Sequence, residues 1–181
     1  MNVEMGDEKI IQNIKKLIRD VPDFPKKGII FRDITPFLAN HEVFLETIKY
    51  LSLRYKEKGI KKVIGIEARG FIIASPLALE IGAGFVPVRK KGKLPYKTLS
   101  VEYLLEYGKD TLQIHEDAIN KGESVIIIDD VLATGGTAKA VCELVEKLGG
   151  KVEEILMLIE LEALKGREKL KDYNVFSLIK Y

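Results

Sequence analysis

A chain of 181 residues, 46% hydrophobic and 31% charged, has the composition of one globular domain with a buried core, which excludes a disordered tail or a fibrous repeat. Its 29 basic against 27 acidic residues leave a net charge of +2, so nothing global marks it for nucleic acid, and no apolar run after Met1 is long enough for a signal peptide or a membrane span. With one cysteine, Cys142, and two histidines, neither an intramolecular disulfide nor a Cys/His metal cage can form, so the expectation is a cytoplasmic protein with no membrane or nucleic-acid partner.

From Glu8 to Val21 the residues Ile10, Ile11, Ile14, Leu17, Ile18 and Val21 recur at helical spacing, predicting an amphipathic helix over a core. Pro22 to Gly28 (PDFPKKG) breaks it, because two prolines and a glycine cannot continue a helix. Ile29 to Leu38 is apolar but interrupted by Arg32, Asp33 and Pro36, and reads as a structured loop. A second helix is expected from about Glu42 to Lys58, with Phe44, Ile48, Leu51 and Tyr55 inward. Strand and helix then alternate. Lys62 to Glu67 is a short apolar strand, and Phe71 to Ile81 a helix in which Pro76 sits at a kink or in the first turn. Phe85 to Val88 and Ser124 to Asp129 are strands, and Thr137 to Leu148 is a helix stopped by Gly149-Gly150. Val152 to Leu161 and Val175 to Ile179 complete the series.

Short apolar strands alternating with helices predict an α/β fold, a mostly parallel sheet covered on both faces. One segment interrupts the rhythm. Between Lys90 and Asp117 the alternation of Leu99, Val101, Tyr103 and Leu105, then Leu112 and Ile114, predicts a hairpin turning at Glu106 to Asp110 and inserted between core strands. Such insertions often act as mobile lids.

The chemistry concentrates at Val125 to Thr137, VIIIDDVLATGGT. A β-branched run carries two carboxylates, Asp129 and Asp130, to the end of a strand, the edge at which open parallel sheets bind ligands. Neighbouring strand residues face opposite ways, so the two acids are expected to have different roles. They can accept hydrogen bonds from vicinal sugar hydroxyls or organise a hydrated divalent cation. Ala133, Thr134, Gly135, Gly136 and Thr137 then lead into a helix whose N-terminal amides favour an anion. A sugar phosphate is the ligand these groups suit. The chain has neither the G-x-x-x-x-G-K-[ST] loop of ATPases nor a G-x-G-x-x-G dinucleotide turn.

This stretch resembles the phosphoribosyl-pyrophosphate motif of the type I phosphoribosyltransferases. PDFP-x-x-G-x-x-FRDITP (Pro22 to Pro36), ARGF (Ala68 to Phe71), RKKGKLP (Arg89 to Pro95), LEYGKDTLQIHEDAI (Leu105 to Ile119) and LKGREKL (Leu164 to Leu170) extend the resemblance over nearly the whole chain, toward the adenine-specific branch. The resemblance implies a single type I phosphoribosyltransferase domain over 1–181: a twisted, mostly parallel sheet flanked by helices, an N-terminal hood (roughly 1–38) and a hairpin lid (roughly 92–117). It implies transfer of a phosphoribosyl group from phosphoribosyl pyrophosphate to adenine, giving AMP and pyrophosphate with Mg²⁺ present, the ion held chiefly through substrate with Asp129 or Asp130 nearby.

Residue by residue, the resemblance implies that Ala133 to Thr137 hold the 5-phosphate and that Asp129 and Asp130 meet the ribose hydroxyls. Glu67, Ala68 and Arg69 form a pyrophosphate loop with Arg69 as its clamp, although many relatives carry Asp-Ser or similar at Glu67-Ala68, which leaves open what the Glu67 side chain does. Arg89 and Lys93 reach pyrophosphate, the arginine from a neighbouring subunit, which implies a homodimer. Glu106, with Tyr107 beside it on the lid, handles a proton at the adenine ring. Ile30 and Arg32 contact the base through backbone groups and Phe31 shapes its pocket. His41 and His115 show no partner arrangement and read as structural or surface residues. Two alternatives stay open: a transferase for another purine base, against which FRDITP and LEYGKD argue, and a non-catalytic phosphoribosyl-pyrophosphate-sensing regulator, against which the net charge of +2 and an N-terminal region that reads only as an amphipathic helix argue.

Overall fold

The structure, a computed structural model, describes the backbone of residues 3–104 and 108–181 and the side chains of residues 8–103 and 108–181. They fall into two compact units, Met1–Leu53 and Arg54–Tyr181.

The first unit holds helix α1 (Val3–Leu17), strands β1 (Arg19–Pro22) and β2 (Ile30–Asp33), a short helix α2 (Thr35–Ala39) and most of α3 (His41–Tyr55). Ile10, Ile14 and Ile18 are buried at a spacing of four, the stripe read from the sequence. The helix expected to reach Val21 nevertheless stops at Leu17. Arg19–Pro22 instead pairs antiparallel with Ile30–Asp33, in the register Val21↔Phe31. Pro22 explains the switch locally, because its ring biases Val21 toward extended backbone. The expected loop over Ile29–Leu38 is likewise half strand and half helix. Asp33 starts α2 by accepting hydrogen bonds from the Thr35 amide and hydroxyl, each at 2.9 Å, while Pro36 occupies the first helical turn, where no amide is needed. Asn40 caps α3 through the Val43 amide at 3.0 Å.

The second unit contains β3 (Lys62–Ile66), α4 (Arg69–Glu80), β4 (Gly84–Lys90), β5 (Thr98–Leu104), β6 (Lys109–His115), β7 (Ser124–Leu132), α5 (Gly136–Lys147), β8 (Lys151–Glu160) and β9 (Val175–Lys180), with 3₁₀ turns at Glu162–Leu164 and Gly166–Leu170. Its seven strands lie in the order β5-β6-β4-β3-β7-β8-β9. β3 is parallel to both β4 and β7, and β7, β8 and β9 continue in parallel. β6 runs antiparallel to β4 and β5. The α/β class and the mostly parallel sheet are those expected. Val125 to Ile128 are fully buried, as befits a strand covered on both faces. Pro76 lies inside α4 rather than in its first turn.

The hairpin β5–β6 is inserted in the chain between the core strands β4 and β7, as expected, and it forms the edge of the same sheet, joined to β4 through Arg89↔Gln113 and Lys90↔Leu112. Lys109 and Asp110, expected in its turn, are instead in strand and pair with Leu104 and Tyr103, while Glu106 and Tyr107 lie outside the described residues. Val101, Leu112 and Ile114 are buried, so one face of the hairpin belongs to the core.

The strand order fixes where ligands can bind. After β3 the chain places β4 on one side and, later, β7 on the other. The C-terminal ends of β3 and β7 therefore flank a point where the connections diverge, which is where open α/β sheets present a crevice.

Candidate active site

β3 and β7 deliver the charged groups to that crevice. Near its C-terminal end β7 carries Asp129, half-buried, and Asp130, 4% exposed, with side chains on opposite sides of the strand. Asp129 Oδ1 turns back to accept the Asp130 amide at 2.9 Å. Asp130 Oδ2 meets Arg69 Nε at 2.8 Å, so the first residue of α4 is ion-paired with the end of β7. Gly70 permits this approach: a Cβ there would lie 2.7 Å from the Ile128 carbonyl oxygen and 3.1 Å from Asp129 Oδ1. Burial raises the pKa of both acids. The Asp130 charge adds to the effect at Asp129, and the Arg69 guanidinium opposes it at Asp130.

Beyond the acids the chain turns through Ala133 to Gly135 into α5. Gly135, just before the helix, has φ +77° and carries no side chain to cap it. Its backbone lies so close to Gly166 that a Cβ would overlap the Gly166 carbonyl. A pocket of ≈ 70 Å³ opens between the Asp129 side and the loop residues Ala133, Thr134, Gly135 and Thr137. First-turn amides of α5, two threonine hydroxyls and a neighbouring carboxylate make a seat for an anion attached to a hydroxylated group. Tyr103, from β5, lies beside Thr137, which brings the hairpin onto the rim of this loop.

The other side of the crevice is organised by Glu67, the residue after β3, whose peptide to Ala68 is cis. Its side chain is 9% exposed. Oε1 accepts from Lys93 Nζ at 2.8 Å and Arg89 Nη2 at 3.0 Å, and Oε2 from the Lys90 amide at 3.0 Å. Burial by itself would push this carboxyl up, but Lys93, the Lys90 amide and Arg89 together hold it at about 2. The sequence leaves the role of the Glu67 side chain open; here it gathers the basic run. A group with a depressed folded pKa stabilises above its unfolded value and loses that contribution as pH falls through the folded one. Glu67 should therefore stay ionised from neutral pH to about 2, with its contribution lost between 4.5 and about 2. A carbon-detected NMR titration of the Glu67 carboxyl checks this, and a midpoint near 4.5 contradicts the cluster.

The remaining residues expected to act are distributed as follows. Ile30, Phe31 and Arg32 lie on β2 in the first unit, with Ile30 51% exposed, Phe31 edge-on to Phe24 at 5.2 Å, and Arg32 ion-paired with Asp20. Glu106 and Tyr107 fall outside the described residues. Two features had escaped sequence reasoning: the Arg69–Asp130 pair and the seating of Gly166 against the phosphate loop. The only sequence signal for the second was the LKGREKL segment, which carried no assigned role.

Among the described residues no group of three or more His, Cys, Asp and Glu side chains could cage a metal. One oxygen of Asp129 is engaged with an amide and one of Asp130 with Arg69. Such a donor set fits an octahedral, hydrated Mg²⁺ held mainly by substrate oxygens, not an all-protein site.

Residues 34–181 match the family described as the phosphoribosyl transferase domain. The adenine phosphoribosyltransferase of Thermotoga petrophila is 54% identical over 169 residues, covering 93% of this chain and 99% of that protein. That of Kosmotoga olearia is 56% identical with the same coverage. Among solved structures, adenine phosphoribosyltransferase from Thermoanaerobacter pseudethanolicus superposes with a TM-score of 0.91 at 52% identity, over 94% of this chain and 99% of that one. The Saccharomyces cerevisiae enzyme, complexed with an imino-altritol bisphosphate and adenine, gives 0.91 at 42% identity over 94% and 99%.

Proposed function

The chain belongs to the phosphoribosyl transferase domain family, and from that premise we propose that it transfers a 5-phosphoribosyl group from phosphoribosyl pyrophosphate to adenine, giving AMP and pyrophosphate. One observation carries the reading. The anion seat of Ala133 to Thr137, the acids Asp129 and Asp130, and Arg69 converge at one sheet edge, in a chain whose 54–56% identical relatives are named for this activity. A transferase for another base, or a regulator without catalysis, is not favoured by those relatives.

The chemical problem is a sugar carbon that becomes positive as pyrophosphate departs and the base nitrogen arrives. Ala133 to Thr137 anchor the 5-phosphate through amides and hydroxyls, fixing the ribose against the acids. Asp129 and Asp130 accept the ribose hydroxyls. Burial makes their negative charge costly in the free protein, so a positive charge developing on the sugar finds a preorganised partner. Arg69, oriented by Asp130, and Lys93, held by Glu67, face the leaving pyrophosphate. Mg²⁺, bound through substrate with Asp129 or Asp130 beside it, would supply further neutralisation of that negative charge. Ile30 and Arg32 select adenine through backbone groups with Phe31 shaping the pocket, and Glu106 and Tyr107 act from the hairpin tip, Glu106 on the base proton. Buried polar groups left unpaired by an oxo-purine would give the selectivity.

A homodimer completes the proposal, with Arg89 reaching the neighbouring site. Its support is the exposed apolar side chains on α4 and β4: Ile72 (43%), Leu79 (84%) and Phe85 (36%). Sedimentation at micromolar concentration tests it, and a monomer there rules it out. A cytoplasmic setting goes with the single, buried Cys142. No helix among the described residues is long and apolar enough to cross a membrane. The deciding experiment is AMP formation from adenine and phosphoribosyl pyrophosphate with Mg²⁺, with hypoxanthine, guanine and xanthine as controls. Absence of AMP, or preference for an oxo-purine, overturns the reading.

A further inference from the structure

We propose that Arg167 is a positioning residue for the 5-phosphate: it holds Gly166 as a backbone wedge behind the Ala133–Gly135 turn without touching the ligand. The inference rests on the phosphoribosyl reading of that turn. Contact between the two segments is backbone on backbone. A Cβ on Gly166 would overlap the Ala133 carbonyl oxygen and stand 3.1 Å from the Gly135 amide nitrogen, and a Cβ on Gly135 would overlap the Gly166 carbonyl. No side chain caps the start of α5, so the phosphate turn has no lock of its own at that end. Its shape is therefore set in part by where Gly166 sits.

Arg167 determines that place. Its Nε and one terminal nitrogen hold Glu160 Oε1 and Oε2 at 2.7 and 2.8 Å, the two-pronged geometry that fixes a guanidinium in direction as well as distance. The other terminal nitrogen donates to the Val175 carbonyl at 2.9 Å, and Ser177 Oγ lies 3.3 Å from the first. One side chain thus joins the end of β8 to β9 immediately beside Gly166. The Glu160 side chain is only 5% exposed, so an alternative solvated arrangement is costly for it. Leu170, buried at the far end of the same 3₁₀ turn, seats the segment in the core. The Leu161 amide, bonded to the Leu132 carbonyl at 2.9 Å, ties the bracket to the last residue of β7.

The geometry separates two halves of the substrate. The bracket reaches the loop assigned to the 5-phosphate, whereas the groups assigned to pyrophosphate, Glu67, Arg69, Arg89 and Lys93, lie on β3, α4 and β4 and the loop after it, and none of their hydrogen bonds or ion pairs described above involves Arg167. Calorimetric titration of the full chain with ribose 5-phosphate and, separately, with pyrophosphate tests it. Arg167→Met and Gly166→Ala are expected to weaken ribose 5-phosphate by about 10-fold or more while pyrophosphate affinity stays within about 2-fold, since displacement of an oriented group by a fraction of an ångström suffices for such losses. Arg167→Lys, which keeps the charge but not the two-pronged contact, provides a milder variant should Arg167→Met not fold, and is expected to show the same selectivity with a smaller loss. Equal weakening of both ligands, or unchanged ribose 5-phosphate affinity in all variants, overturns the bracket alone. A wild-type protein that ignores ribose 5-phosphate overturns the assignment of the loop, and the bracket with it.

Discussion

Asp130→Asn should lower turnover by at least about 10-fold while leaving the protein folded and no less stable, a loss of about 1.4 kcal/mol or more in transition-state stabilisation. Two consequences of one carboxylate are at stake. Its charge orients Arg69 at 2.8 Å and faces the ribose, so the amide loses both the clamp's anchor and the negative charge awaiting the sugar. Its burial, however, raises its pKa, even against the opposing guanidinium. A carboxyl raised in the folded state contributes stability below its unfolded pKa and loses it as pH rises through the folded value, so at neutral pH the ionised form is a burden on the fold. Replacing it with a neutral isostere removes that burden, the familiar opposition of stability and function at a charged site. The check is a thermal melt beside steady-state kinetics. Near-normal turnover in a folded variant removes Asp130 from the mechanism, and a collapsed melting temperature makes it structural.

Gly135→Ala should be the more damaging substitution, costing about 100-fold or more in kcat/KM for phosphoribosyl pyrophosphate. Alanine at φ +77° carries a backbone penalty of about 1–2 kcal/mol. The larger effect is steric. Its methyl group would overlap a backbone carbonyl, that of Gly166, which cannot rotate away as a side chain could. The loop must move, and the amides that hold the 5-phosphate move with it. Since stability losses of about 1–3 kcal/mol are the usual cost of such a local clash, the variant should still fold. Kinetics with phosphoribosyl pyrophosphate varied and adenine saturating measure the loss. A near-wild-type KM would mean that this turn does not contact the phosphate.

What could be read in advance follows from how local its cause is. Val125 to Ile128, β-branched and continuous, could only be a buried strand, and the Gly-Gly turn after it could only precede a helix. The ion pair between Arg69 and Asp130 joins the first residue of α4 to β7, 61 residues further along, so nothing in the sequence spacing announces it. Glu67 is a similar case: its partners Arg89 and Lys93 are 22 and 26 residues further along, and only the parallel pairing of β3 with β4 brings them within reach. The misread segment, Arg19–Pro22, failed for the opposite reason. Ile18 and Val21 prolong a helical period by coincidence, and the competing partner, Ile30–Asp33, is separated from it by the turn through Asp23 to Ile29. Gly166 was legible only as part of a resemblance, because what makes it matter is a contact with Gly135, 31 residues earlier.

The hairpin's place at the edge of the sheet limits how a closing movement can be made. Lifting the whole of 92–117 away from the protein would expose Val101, Leu112 and Ile114, at about 5–9 kcal/mol for three apolar side chains, and would break the rungs to β4 as well. That is comparable with the stability of an entire domain. Slow amide exchange is therefore expected at Leu112 and Ile114, on the timescale of global unfolding rather than of catalysis. Whatever movement the segment makes, the base of the hairpin, held by Leu112 and Ile114 in the core and by its rungs to β4, stays part of the sheet.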